Sequence, residues 1–349
     1  MKYQSIIRYG FALAFLLSAP AVLAEQETAQ APTADLVIQK DKIYNPNALS
    51  FDSVQIYEKN FDPTQHHSVR AENQKKIDEI EIFIKKTDPN AYTKLSAADQ
   101  EAFGRIAYKL GRYYLLDSRN PELALPKLEL AATLLKKKQD KAWSYNYLAF
   151  AYEQKYAISD EDADKTKALD YSNKVISSLY PKAKNREVAF AYYVNGLVQK
   201  DAADYDQAKN SFETAITIYE ALPEGKDDHL AVAKNSLADT LLIQDGHDQE
   251  ALALLQQVDS YWKSKGNNQQ NPHAAQNLLS LGEAYLKIGD SKTASDQIKK
   301  AIQIMQNVYG SQSPLLIEPY ELLSSAYIKL GDQKLASVYE RKANALSKS

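Results

Sequence analysis

The sequence predicts an all-α chain folded as a solenoid of about six helical hairpins. Three observations carry that expectation. Small residues recur at one internal spacing through most of the chain, amphipathic helical stripes follow one another with short polar breaks, and no alternating run is long enough to demand a sheet.

The spacing is clearest at Gly282, followed by Ala294 after 12 residues and Ala301 after 7 more. Gly196, Ala208 and Ala215 repeat those offsets, as do Ser324, Ala336 and Ala343. Ala238 leads a unit with Ala251, Leu255 and Val258 and one inserted residue. Looser copies start at Gly111, with Tyr114, Ala124, Leu128 and Ala131, and at Ala149, with Tyr152, Ala168 and Val175 beyond an insertion. The six anchors stand 38, 47, 42, 44 and 42 residues apart. Two antiparallel helices approach closely only where side chains are small, so Gly or Ala in the first helix and Ala in the second mark crossings. Large residues such as Phe212, Tyr285, Ile298 and Tyr327 are expected to fill the gaps between them. One such hairpin cannot bury its apolar face alone, so stacking supplies the core.

Residues 1–24 read as an export signal. Lys2 and Arg8 are followed by the short apolar run FALAFLLSA, then by Val22 and Ala24 before a cut ahead of Glu25. The run is too short to span a membrane comfortably, so no stable span is expected once the signal is removed. With no cysteine in the chain, neither a lipid anchor at the cut nor a disulfide framework is available. The expected location is the periplasm. Residues 25–70 are polar or aperiodic and form an irregular or disordered leader, in which His66 and His67 adjoin as solvated residues. Residues 71–95 carry Ile77, Ile80 and Ile84 on one stripe, a capping helix for the first hairpin or, alternatively, a homodimer contact. Ser96 then opens the repeat region, residues 96–349.

Leu281, Gly282 and Tyr285, then Ala294, Ile298 and Ala301, resemble the tetratricopeptide repeat. NGLVQKDAADYDQAKNSFETAI from Asn195 is similar, with Gln199 where that family has Tyr. Spacings near 42, with units opening on NPHAAQNLLSLG and SPLLIEPYELLS, resemble the longer kinesin-light-chain type. The resemblance spans roughly residues 100 to 345. It implies a right-handed solenoid whose first helices line a concave groove for a peptide or protein partner, and it does not imply an enzyme. Carried over, its groove places lie 3 before and 1 after each anchor. Those places offer Tyr108, Arg112, Asn146, Phe150, Tyr193, Asn235 and Asp239, with Arg105 one turn before Tyr108. Leu197, Leu279, Glu283, Glu321 and Ser325 fill the remaining places, so the C-terminal half of the groove is the more acidic. The family's carboxylate-clamping pattern is not reproduced.

Nothing in the sequence assembles a catalytic site. There is no Ser-centred elbow, Gly-rich phosphate loop or His-Glu zinc motif, so no cofactor or metal is expected. His229, His247 and His273 fall at unit starts or turns, as capping or surface residues. The basic run LLKKKQDK from Leu134 is expected to be solvated at a helix end. Net charge is −3, and loss of Lys2 and Arg8 with the signal takes it to −5, which argues against a nucleic-acid partner. The expected function is an exported, non-catalytic scaffold binding a protein or peptide segment in the groove. The alternative is a carrier or sensor of a small cell-envelope ligand such as a glycan fragment, and a third reading is a subunit whose partner holds the active site.

Overall fold

The computed structural model describes residues 96–116, 120–223, 228–244, 246–266 and 271–347. The expected signal over 1–24, leader over 25–70 and capping helix over 71–95, with the Ile77 stripe and the His66/His67 pair, lie outside the described residues.

No strand occurs among the described residues. The α-helices in chain order are α1 (Ala97–Leu116), α2 (Pro121–Leu134), α3 (Lys138–Ser159), α4 (Asp162–Asn173), α5 (Arg186–Asp201) and α6 (Tyr205–Ala221). They continue as α7 (Asp228–Ile243), α8 (Asp248–Ser264), α9 (Pro272–Lys287), α10 (Ser291–Tyr309), α11 (Ile317–Lys329) and α12 (Gln333–Leu346). A wide-turned π segment, Lys174–Leu179, prolongs α4. Successive helices pack as hairpins: α1 with α2, α5 with α6, α7 with α8, α9 with α10 and α11 with α12. α4 lies on α3 through parallel stacking of Tyr171 on Tyr152 and the Lys155–Asp164 ion pair at 3.6 Å. The expected all-α stack of hairpins is the observed fold.

The hairpins start and turn for local reasons. Asp290 and Asp332 accept the backbone N–H of Thr293 and Leu335 at 3.0 Å, closing the orphan donors of α10 and α12. Asn120 and Asn185 do the same for α2 and α5, also at 3.0 Å. Between the paired helices the chain must enter the left-handed region once, at Gly246, Gly289 and Gly331 with φ of +87°, +90° and +79°. Ala203 takes that place in the α5–α6 turn, at φ +59°, without glycine's freedom.

Two compact units divide at Tyr145. In the N-terminal unit α1 lies on α2, and a Cβ on Gly111 would come within 2.6 Å of Leu128 Cγ and 3.2 Å of the Ala124 carbonyl. Ala107, Ala131 and Leu135 form one buried cluster of it, with Tyr108 and Leu130 against them. The LLKKKQDK run leaves the end of α2 and enters the first turn of α3, and the Lys136 N–H there donates to Glu101 at 2.7 Å.

In the C-terminal unit, from Tyr145 onward, one core runs through successive hairpins from Val188 to Leu346. A Cβ on Gly196 would meet the Phe212 ring at 2.6 Å, and one on Gly282 would overlap Ile298 Cγ1. The large residues are therefore not confined to gaps between crossings, as the sequence suggested. Each of these glycines receives one directly, because a bare Cα is the socket that a bulky side chain on the second helix needs. Ala208, Ala215, Ala294 and Ala301 are all fully buried, as the spacing required.

Candidate functional site

The first helices of the C-terminal unit, α3 from Tyr145, α5, α7, α9 and α11, carry a cluster of ionisable side chains. Glu153 comes from α3, Lys200 and Asp201 from α5, Asp239 from α7, Glu283 from α9 and Glu318 from α11. Glu153 is only 7% exposed, while the others named are half-buried.

Their electrostatics are collective. Burial pushes the Glu318 carboxyl up to about 8, and Glu283, Asp239 and Glu321 push the same way against Lys200. Burial, then Asp239, lifts Glu283 to about 7, with Lys287 opposing. Asp239 is raised by burial, moderated by Ser280, Lys200 and Asn235. Glu153 stands well above the usual carboxylate range because it is buried and faces Asp201. Burial works to neutralise Lys200, yet Asp201, Asp239, Glu153 and Glu318 more than offset it and hold the ammonium. The result is Lys200 set among carboxyl groups of α3, α5, α7 and α11, with Glu283 of α9 coupled to Asp239 and Glu318.

Lys200 on α5 and Glu318 on α11 bear on each other's charge, so the first helices of the unit present these side chains to a common face.

A buried polar ladder holds the face from behind. Asn277 Nδ2 donates to Asn235 Oδ1 and to the Leu255 carbonyl, each at 3.1 Å. Asn235 Nδ2 in turn donates to Asp239 Oδ2 at 3.0 Å and to Ser280 Oγ at 3.2 Å. Two hairpins earlier, Asn146 Nδ2 donates to the Glu187 carbonyl at 2.9 Å. Ser172 on α4 meets Asn195 on α5.

The candidate residues divide accordingly. Asp239 lies in the charged cluster, and half-buried Tyr193 adjoins it, hydrogen-bonded with Ser236 and raised in pKa first by burial. Phe150 and Tyr193 flank Phe190, with ring centroids at 6.2 and 5.8 Å. Asn146 is fully buried and Asn235 is 7% exposed, so both join hairpin to hairpin. In the N-terminal unit Arg105, Tyr108 and Arg112 share one face of α1, all half-buried, with Arg105 3.8 Å from Glu101. Sequence reasoning missed Glu153, Lys200, Asp201 and Glu318. Glu153 and Lys200 stand 4 beyond their anchors, one turn past the places considered, where a helix still shows the same face.

The histidines differ from expectation in part. His229 stacks on Tyr219 at 5.9 Å and His273 on Trp262 at 5.9 Å, so both serve contacts between hairpins. His247 lies before α8 with Nδ1 3.0 Å from Glu250. Among the described residues no group of His, Asp and Glu could hold a metal ion, and no helix is long and apolar enough to cross a membrane.

Comparison with known proteins places these features. The tetratricopeptide repeat model matches residues 189–222 and 273–349. No curated protein matches the chain. Among solved structures, the apo form of RapI is 16% identical with a TM-score of 0.50, over 85% of this chain and 76% of that one. A Podosopora anserina structure of kinesin light chain nearly identical TPR-like repeats is 17% identical, TM-score 0.48, over 60% and 96% of the two chains. BtubC from P. vanneervenii is also 17% identical, TM-score 0.45, over 73% and 92%. The first of these similarities is one of fold. Residues 189–222 and 273–349 thus match the tetratricopeptide repeat, within an all-α fold of stacked helical hairpins.

Proposed function

We propose that the protein is an exported, non-catalytic scaffold that holds a basic segment of a partner protein along the inward face of α3, α5, α7, α9 and α11. The observation that carries this reading is the grouping of Glu153, Asp201, Asp239 and Glu318 around Lys200, with Glu283 adjoining through Asp239 and Glu318. A bound Lys or Arg side chain would supply the positive charge that these carboxyl groups otherwise replace by holding protons. Tyr193 and Phe150 offer aromatic surface beside the charges, the residue types that dominate interface energetics. Export follows from the signal-like residues 1–24.

The test is site-specific photocrosslinking in the compartment where the protein resides. A photoreactive residue replacing Glu283 should capture a protein through a Lys- or Arg-rich stretch, and one replacing exposed Lys300 on α10 should not. Equal capture at both positions would remove the face from consideration. Thermal stabilisation by a glycan fragment alone would favour the small-ligand reading instead, since ligands that bind the native state raise its apparent stability.

A further inference from the structure

A second charged surface occurs where α4 passes into its π segment and the connector to α5. From Tyr171 to Arg186 the chain carries Lys174, Lys182, Lys184 and Arg186 and no acidic residue. Lys174, Lys182 and Lys184 are exposed. The Lys174 ammonium sits 4.5 Å from the Tyr171 ring centroid and 5.6 Å from that of Tyr145. Tyr145 and Tyr171 themselves pack at 5.7 Å. An ammonium held over ring faces, with no carboxylate partner among the described residues, is available to an external anion and has less side-chain freedom to lose. The π segment begins at Lys174, an irregularity often found at functional sites. The helix dipole is no sufficient account of these lysines, because a helix C-terminus offers about half an elementary charge to three exposed cations.

We propose that this surface, Lys174, Lys182 and Lys184 beside Tyr145 and Tyr171, docks an acidic segment of a partner protein. Charge complementarity argues for an anion, and the surroundings choose among anions. No large exposed apolar residue lies between Tyr145 and Arg186, so nothing is available to insert into a lipid surface. Tyr171 is already stacked on Tyr152, with an 8° interplanar angle, and covered by Lys174, which leaves it poorly placed to stack on a sugar. The overall acidity of the chain disfavours nucleic acid. The site is independent of the inward face, where the preferred charge is opposite.

The experiment uses the full chain and a fluorescein-labelled octaglutamate peptide, read by anisotropy at low salt. Binding is expected to weaken as salt rises, and to weaken roughly tenfold in the variant K174Q/K182Q/K184Q. The control K292Q/K300Q/K334Q makes the same change in net charge elsewhere and should bind as the wild type does. Helicity and melting temperature verify that both variants fold. Equal loss in the two variants would overturn the proposal, as would absence of peptide binding by the wild type. So would tighter binding to phosphatidylserine-containing vesicles or to a sulfated glycan than to the peptide.

Discussion

Asn277 on α9 donates from Nδ2 to Oδ1 of Asn235 on α7, 3.1 Å away, and both side chains are shut away from solvent. The pair joins two hairpins and also seats Asp239, a member of the charged face, because Asn235 donates to Asp239 Oδ2. Packing, rigidity and charge placement therefore share one set of bonds.

Removing Asn235 should be costly for that reason. Asn235→Ala leaves Asn277, Ser280 and Asp239 without a shared partner in a buried setting, and is expected to lower stability by about 1–3 kcal/mol. Asn277→Ala should cost a similar amount, and the double variant less than the sum, because the second change removes a group the first already stranded. Urea denaturation of the four proteins measures this, and strict additivity would mean that the ladder does not act as a unit.

Stability should fall as pH rises through the neutral range. Glu283 and Glu318 have ordinary values of 4.5 and are raised to about 7 and about 8 in the fold. Between those limits the folded state holds more protons than the unfolded one, so their contribution is complete below about pH 4.5 and lost as pH passes 7 and 8. Asp239 and Glu153, also raised, act with the same sign. The Asp290 helix cap, whose carboxyl is lowered by its bonds to Thr293, acts oppositely but only below its ordinary 3.8. Melting temperature is expected to decline from pH 5 to pH 8.5, and E283Q/E318Q should flatten the curve. A rise over that interval would contradict the arrangement of charges described above.

The same protonation should govern binding. A basic peptide on the inward face meets Glu283 and Glu318 as neutral acids near pH 6 and as carboxylates near pH 8.5. Its affinity is expected to increase across that range, with the increase abolished in E283Q/E318Q. Titration calorimetry in buffers of different ionisation enthalpy would also register proton release on binding.

Glycine at the crossings has no substitute of equal size. Gly282→Ala drives a methyl group into Ile298, which is fully buried and cannot swing aside, at a cost of about 1–3 kcal/mol. Gly196→Ala meets the Phe212 ring and should cost about the same. Gly266→Ala has open space around it, and any penalty there comes from its φ of +76° alone, which makes it the comparison for separating overlap from backbone strain.

Ala203→Gly should stabilise. It relieves a left-handed alanine at φ +59° in the turn where other hairpins use glycine, and a gain of roughly 0.5–1 kcal/mol is expected. A loss of stability would show that the cost of a more flexible unfolded chain outweighs the relief.

The repeat was legible because packing of paired helices imposes a periodic demand. Only small residues permit close approach, and Gly196, Gly282, Ala208 and Ala294 recur at the offsets this geometry requires. The caps Asp290 and Asp332 and the turn glycines Gly289 and Gly331 are local devices that fall in the short polar breaks between helices. The histidines were less so, since His229 and His273 find their stacking partners on other helices.

The site was legible only in outline. Asp239 and Tyr193 occupy places that the repeat register assigned to the groove, but Asn146 and Asn235 at equivalent places turn between hairpins and are buried there. Whether such a residue faces out or bonds backward depends on what the adjacent hairpin presents: a Glu187 carbonyl to Asn146, Ser280 and Asn277 to Asn235.

The sequence by itself determined helices, their pairing and their order, because those follow from side-chain size, periodicity and caps read within one hairpin. Only the tertiary structure decided that Lys200 would stand among Glu153, Asp201, Asp239 and Glu318. That grouping depends on how successive hairpins stack, and the interaction of charges depends on distance and burial, neither of which is encoded at any one position.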